Sequence, residues 1–277
     1  AGSPWSSLSR MAPHELDLSA GTVRLLCDRR AGIGGDGVIR VVPTEHADEP
    51  AVREQAGEAR WFMDYRNADG SPAEMCGNGS RVFAAFLRRE RLETADEFAI
   101  ATRAGAKHVR VEADLIAVDL GPWRLGDEDA AAERGFDALV TAHGAHELSG
   151  LSLHVGNPHT VVALPPGISL AQLDLTVAPS VAPAPGHGTN VEFVDPIGHG
   201  HIAMRVHERG VGETRSCGTG AAAAALATRW WEGESESNRE WTVDVAGGRL
   251  RVRALPDHRV ELAGPAVLVA DGETSLR

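Results

Sequence analysis

A short turn that occurs twice constrains this chain more than any other feature. Met75-Cys76-Gly77-Asn78-Gly79 and Ser216-Cys217-Gly218-Thr219-Gly220 each lead into a stretch rich in small residues, and roughly half of the 277-residue chain separates them. The repeat predicts two related halves, each presenting one Cys-Gly-x-Gly turn at the start of a helix. The length suits one large or two medium domains. The expected division is 1–120, with a strand returning at 264–277, against 121–263, with Gly121-Pro-Trp-Arg124 as the crossing.

Periodicity supplies the elements between. An apolar stripe of Leu18, Val23, Leu25, Leu26 and Cys27 predicts a helix over Leu16 to Arg30, with Ser19 as a possible N-cap. Strands are expected at Val38–Val42, Trp61–Tyr65, Phe98–Thr102, Lys107–Glu112 and Leu115–Leu120, a hairpin turn at Asn67-Ala-Asp-Gly70, and a helix at Val82–Leu92. In the second half, strands are expected at Leu151–Val155, Val161–Leu164, Asn190–Val194, His201–Glu208, Trp241–Val245 and Leu250–Val252. A helix is expected at Ala221–Trp231, a loop over Val177–Gly188, and a last strand near Val267–Val269.

Composition excludes several classes of function. A net charge of −12 opposes nucleic acid, which requires a basic patch, and anionic membranes. No apolar run approaches a membrane span, and the opening AGSPWSSLSR lacks the regions of a signal peptide, so a cytoplasmic location is expected. Three cysteines make no disulfide framework and no zinc-type pair. Lys107, the single lysine, lies in an expected hairpin tip, a poor place for a pyridoxal Schiff base. Gly32-Ile-Gly-Gly-Asp-Gly37 matches a dinucleotide fingerprint in letters only, because a helix precedes it and a strand follows. His143, His146, His199 and His201 have no spacing that suits a metal. Glu232–Glu240 reads as a solvated acidic loop, Trp230 and Trp231 as packing residues, and Cys27 as a buried small hydrophobe.

Two matched cysteines at helix starts offer a specific chemistry. Inverting a stereocentre without a cofactor requires a base on one face of the carbon and an acid on the other. A free thiol, with a pKa near ~8.5, can be tuned to either role. The unpaired N–H groups and positive dipole at a helix N-terminus favour thiolate, so a lowered pKa is expected at both. The following glycines let backbone amides approach and hold a carboxylate. One such turn alone is better explained by a buried structural cysteine; the pair is what points to catalysis.

At these residues the chain resembles the diaminopimelate epimerase family. The matching stretches are Arg66-Asn-Ala-Asp-Gly-Ser71, Met75–Gly79, Gly156-Asn-Pro-His159, Asn190-Val-Glu-Phe193, Val206–Thr214 and Ser216–Gly220, and the similarity runs from about Leu16 to Gly272. The resemblance implies two similar α/β domains, each a barrel-like sheet around a central helix, with the site in the cleft between them. It implies interconversion of LL- and meso-diaminopimelate on the route to lysine and peptidoglycan, without cofactor or metal, in a homodimer. Cys76 and Cys217 would be the acid–base pair, and His159 and Glu208 would help set their protonation. Asn67, Asn157, Asn190, Glu208 and Arg209 would bind substrate, together with the backbone of Gly77, Asn78, Gly218 and Thr219.

The side chains suit those tasks on their own chemistry: Arg209 can clamp a carboxylate, Glu208 can accept from an ammonium, and the asparagines offer donor and acceptor together. Each also suits a plainer role, Asn67 and Asn157 in turns and Glu208 with Arg209 as a surface ion pair.

The match departs in two places. The first fifteen residues contain neither a readable first strand nor the Asn-Asp-Phe signature that opens family members, and a truncated or frame-shifted start is the expectation drawn from them. Gly37 stands where many relatives carry glutamine. Two other functions fit the same cysteines: a racemase or epimerase of the same architecture acting on proline, hydroxyproline, histidine or another amino acid, and a non-catalytic protein, either a degenerate homologue or one whose cysteines act as a redox switch.

Overall fold

The computed structural model describes residues 8–9, 18–142 and 147–274, with backbone alone at 8–9. His143 and His146, residues 16 and 17 of the expected 16–30 helix and most of the first fifteen residues lie outside that range; the helix itself is shorter than expected, spanning Ala20–Cys27 with Ser19 as its N-cap. The chain forms two compact units, one built from the residues through Val118 and from Gly264 onward, the other from Asp119–Ala263.

In the first unit the elements are β1 (Leu8–Ser9), α1 (Ala20–Cys27), β2 (Gly37–Pro43), α2 (Pro50–Arg53), β3 (Trp61–Asn67), α3 (Gly77–Arg89), β4 (Glu97–Ala101), β5 (Lys107–Glu112) and β6 (Leu115–Pro122), whose end runs into the second unit. β2 and β3 pair antiparallel from Gly37–Asn67 to Pro43–Trp61, β4 joins β3 in parallel, and β4, β5 and β6 form a meander. Leu8–Ser9 pairs in parallel with Ile39–Arg40, which corrects the expectation that no strand would be found near the start. Pairing of backbone groups needs no alternation of side chains, so a two-residue strand is invisible to pattern.

A fully buried carboxylate pins β2 to β3. Asp64 accepts from Arg40 Nε at 3.0 Å, Arg66 Nε at 2.9 Å and Arg103 Nη2 at 2.5 Å. Burial pushes this acid up, but the arginine hydrogen bonds outweigh it and hold the carboxyl below its ordinary range.

The second unit contains β7 (Arg124–Leu125), α4 (Glu128–Arg134), β8 (Ala138–Thr141), β9 (Glu147–His154), β10 (Pro158–Ala163), β11 (Ser180–Ala182), β12 (Asn190–Gly198), β13 (His201–Glu208), β14 (Gly212–Thr214), α5 (Gly218–Trp231), β15 (Glu240–Val245), β16 (Gly248–Leu255) and β17 (Arg259–Gly264). α5 packs against β9, β10, β12, β13, β15 and β16, so the strands wrap a central helix. Its residues Ala221–Ala225 are buried on every side. Alanine favours the helix and brings the surrounding backbones close to it.

Three expectations require correction here. The 177–188 loop contains β11, which pairs antiparallel with β8. α4 was not expected, although Asp127 caps its start by accepting from Ala130 N–H and Gly135 ends it at φ +78°. The last strand is β17, not 267–269, where Val267 and Val269 are 65% and 82% exposed. Pro265 follows β17 directly and cannot donate to a ladder, and β-branched residues alone do not make a strand without a partner.

Two outcomes test this packing. Ala223→Leu should cost about 1–3 kcal/mol through overpacking, read by chemical denaturation. Asp64→Asn should cost about 3–5 kcal/mol near neutral pH. Because the folded Asp64 holds its proton less tightly than the unfolded one, its contribution is complete above the unfolded value near ~3.9 and is lost as pH falls through the lower folded value. The gap between wild type and Asp64→Asn should therefore narrow in acid.

Candidate active site

Each cysteine is itself the N-cap of its helix, so the helices begin earlier than the apolar pattern suggested, at Gly77 rather than Val82 and at Gly218 rather than Ala221. Cys76 has extended dihedrals (φ −140°, ψ 120°), and its Sγ accepts from Gly79 N–H at 3.4 Å. Cys217 repeats the geometry (φ −112°, ψ 116°), with Sγ accepting from Gly220 N–H at 3.3 Å. A sulfur thus takes the place usually held by a hydroxyl or carboxylate oxygen.

Around Cys76, Arg81 lies one turn further along α3, buried, donating to Asn78 Oδ1 at 2.8 Å and to Gly77 O at 3.3 Å. Burial pushes this guanidinium down to about 10, and the Cys76 sulfur draws it back up. Asn67 ends β3 and closes the expected turn: its side chain donates to Ser71 Oγ at 3.0 Å, and Gly70 donates to its carbonyl at 2.8 Å with φ +86°. At Gly37, which pairs with Asn67, a Cβ would lie 2.5 Å from the Arg66 carbonyl and 2.6 Å from the Tyr65 ring. No glutamine fits where Gly37 stands, because Tyr65 occupies its space.

Around Cys217, Thr219 Oγ1 is 3.6 Å from the sulfur. Here the electrostatics overturn the expectation of a lowered pKa. Burial pushes the Cys217 thiol well above its ordinary value, Glu208 and Glu192 push it further, and the contacts from Thr219 and Gly220 only partly offset them. Two carboxylates and a dry site outweigh the helix end.

The second unit assembles most of the expected residues. Gly156, at φ +76°, turns the chain before Asn157. His159, fully buried on β10, contacts Asn157 Oδ1 through Nε2 at 2.9 Å and Glu192 Oε1 through Nδ1 at 2.7 Å. His159 and Asn190 are opposite each other on the parallel pair β10–β12. Asn190 donates to Pro158 O at 3.2 Å and accepts from Arg209 N–H at 2.9 Å. Glu208 accepts from Thr214 Oγ1 across the β13–β14 pair. Arg209 donates to His187 O at 2.8 Å. Gly77 and Gly218, each the first residue of its helix, are buried.

The residues that site reasoning passed over are Glu192, Arg81 and Thr214. Glu192 lay inside a quoted motif, but an acidic residue in a strand carries no signal of burial. Arg81 stands four residues after Gly77 on the same helix face, a spacing that does signal contact. Among the described residues, no three His, Cys, Asp or Glu side chains gather as metal ligands, and no helix is long and apolar enough to cross a membrane.

The fold is shared with solved structures of low sequence identity. A PhzF-family phenazine biosynthesis protein from Bacillus anthracis matches 91% of this chain and 90% of its own with a TM-score of 0.58 at 17% identity. A probable proline racemase from Agrobacterium radiobacter matches 92% and 81% with a TM-score of 0.62 at 15% identity. The diaminopimelate epimerase family model matches residues 12–125 and 151–269, and the chain belongs to that family. Diaminopimelate epimerases from Streptomyces coelicolor and Thermobifida fusca are each 47% identical, over 93% and 95% of this chain and 87% and 91% of their own lengths. One from Mycobacterium ulcerans is 43% identical over 94% of this chain and 89% of its own.

The two turns differ in tolerance. A Cβ at Gly220 would lie 2.6 Å from Glu192 Oε1 and 3.2 Å from Cys217 Sγ, whereas at Gly79 the nearest atoms are Ile39 Cδ1 at 3.2 Å and Cys76 Cβ at 3.5 Å. Gly220→Ala should lower kcat/KM by at least about tenfold more than Gly79→Ala, a difference of about 1.4 kcal/mol in ΔG‡, measured as amino-acid inversion by the purified variants.

Proposed function

We propose that this protein is a diaminopimelate epimerase that inverts the substrate α-carbon by two-base proton transfer, with Cys76 and Cys217 as the pair. The carrying observation is the repeated sulfur N-cap, in a family member whose curated relatives at 43–47% identity bear that name. Structures sharing the fold at 15–17% identity include a probable proline racemase and support the architecture alone.

In the reaction one sulfur removes the α-proton as the other delivers a proton to the opposite face. The resting assignment follows from surroundings. Cys217, buried against Glu208 and Glu192, is the thiol and the acid. Cys76, beside the buried Arg81 cation, is the base for the forward direction. Reversal exchanges the roles. His159 and Glu208 help hold these protonation states.

Backbone amides at the two helix starts, from Gly77 and Asn78 and from Gly218 and Thr219, receive the α-carboxylate. Asn67, Asn157, Asn190, Glu208 and Arg209 receive the distal amino-acid end. Asn190 has one donor and one acceptor already engaged, which leaves an N–H and a lone pair for substrate. Metal and cofactor have no part in the scheme. A homodimer and a cytoplasmic location belong to the same proposal.

The test is incubation with LL-diaminopimelate in heavy water. Wild type should form the meso isomer with deuterium at the α-carbon, and Cys76→Ala and Cys217→Ala should each lose about 10²–10⁴-fold in kcat. Inversion of proline but not diaminopimelate would replace the substrate. Full activity in either alanine variant would sink the two-base scheme.

A further inference from the structure

We propose that Glu192 is a positioning residue of this site, its buried carboxylate joining the ring of His159 on one side to the helix start beneath Cys217 on the other. The inference rests on the reading of Cys217 as an acid–base group and goes beyond it, since Glu192 belongs neither to the thiol pair nor to the residues assigned to substrate.

Position on the strand makes the case first. Along β12, Val191 and Phe193 lie in one hydrophobic core cluster with Val140, Leu148 and Leu175. Side chains alternate across a strand, so Glu192 takes the other face, where α5 packs. A residue there that only filled space would be apolar like its neighbours. Instead the carboxylate is fully buried, Oε1 meets His159 Nδ1 at 2.7 Å, and Oε2 has no hydrogen-bond partner. A half-satisfied buried carboxylate is costly, and folds retain such groups at working sites.

Contact with Cys217 passes through Gly220. Glu192 Oε1 and Cys217 Sγ both press on the place a Cβ would occupy there, at 2.6 Å and 3.2 Å. Only the missing side chain lets carboxylate and sulfur share that contact. The result is a connected row: Asn157, His159, Glu192, the bare Cα of Gly220, and Cys217.

The row has a definite chemical sense. With Glu192 accepting at Nδ1, the ring cannot flip, and Nε2 is left to Asn157, whose amide can serve it as acceptor or donor. At the other end the carboxylate's negative charge opposes a second negative charge on sulfur, adding to burial and to Glu208. The charged and titratable groups facing this row are Glu208 on β13, Cys217 on α5, and His154 on β9. His154 is held below its ordinary value by burial, Arg124 and His159.

The experiment uses the full chain labelled with ¹⁵N-histidine, with His159→Gln to assign the resonance. Wild type should show a protonated Nδ1 at His159 with a strongly deshielded proton, and Glu192→Gln should move that proton upfield. In the same variant kcat should fall at least about tenfold while KM changes less than about twofold. The limb of the kcat/KM pH profile that reports Cys217 should move to lower pH. Glu192→Asp, which keeps the charge, should retain more kcat than Glu192→Gln. An unprotonated Nδ1 in wild type overturns the proposal, and that spectrum decides it even if Glu192→Gln does not fold. Unchanged resonance, kcat and pH profile in a folded Glu192→Gln also overturn it. Failure of the thiol-pair reading would show separately, as wild-type protein that inverts no amino acid, and the His159 resonance would still decide the role of Glu192.

Discussion

A sulfur atom at a helix N-cap is the constraint on which the chemistry of this molecule depends. An N-cap side chain must accept from the third backbone N–H of the helix, and that requirement alone fixes its direction and distance. Cys76 and Cys217 meet it with Gly79 and Gly220. The hydrogen bond places each sulfur beside the backbone amides of the first turn, where an anion is welcome. On the proposed function, positioning of the proton carrier and of a carboxylate site therefore comes from one local structure, and it is used twice.

The two copies are alike in backbone and unlike in charge. Arg81, buried four residues beyond Gly77, provides a cation near Cys76. Glu208 and Glu192 provide anions near Cys217, in a drier setting. The proposed two-base inversion would gain from this inequality, because a pair of identical thiols would have no preferred resting state. Both sulfurs sit at a helix start, so the difference follows from the deeper burial of Cys217 and from residues on α3, β12 and β13.

Much of this was legible in sequence. The repeated turn announced two halves, the strand Gly37–Pro43 lies where one was expected, and His201–Glu208 follows its expected alternation closely. The helix starts were misplaced because glycine is a poor helix residue and cysteine is absent from the usual capping set. The lowered thiol pKa expected at Cys217 failed because it counted the helix and not the neighbours, and burial and charge depend on contacts distant in sequence. Glu192 was hidden for the same reason: its partner His159 is on another strand. Leu8–Ser9 and Ser180–Ala182 were hidden because strands this short carry no pattern.

Small residues link the fold to these contacts. The alanines of α5 let six strands close around one helix, and that closeness brings β12 near enough for Glu192 to touch Gly220. A bulkier helix would separate the carboxylate from the sulfur by the width of a side chain. At α3 the atom nearest to where a Gly79 side chain would stand is Ile39 Cδ1, the end of an apolar side chain. The same turn sequence therefore serves a tight, polar junction in one unit and an apolar one in the other, and what stands behind Gly220 is one of the groups that act on Cys217, after burial and Glu208.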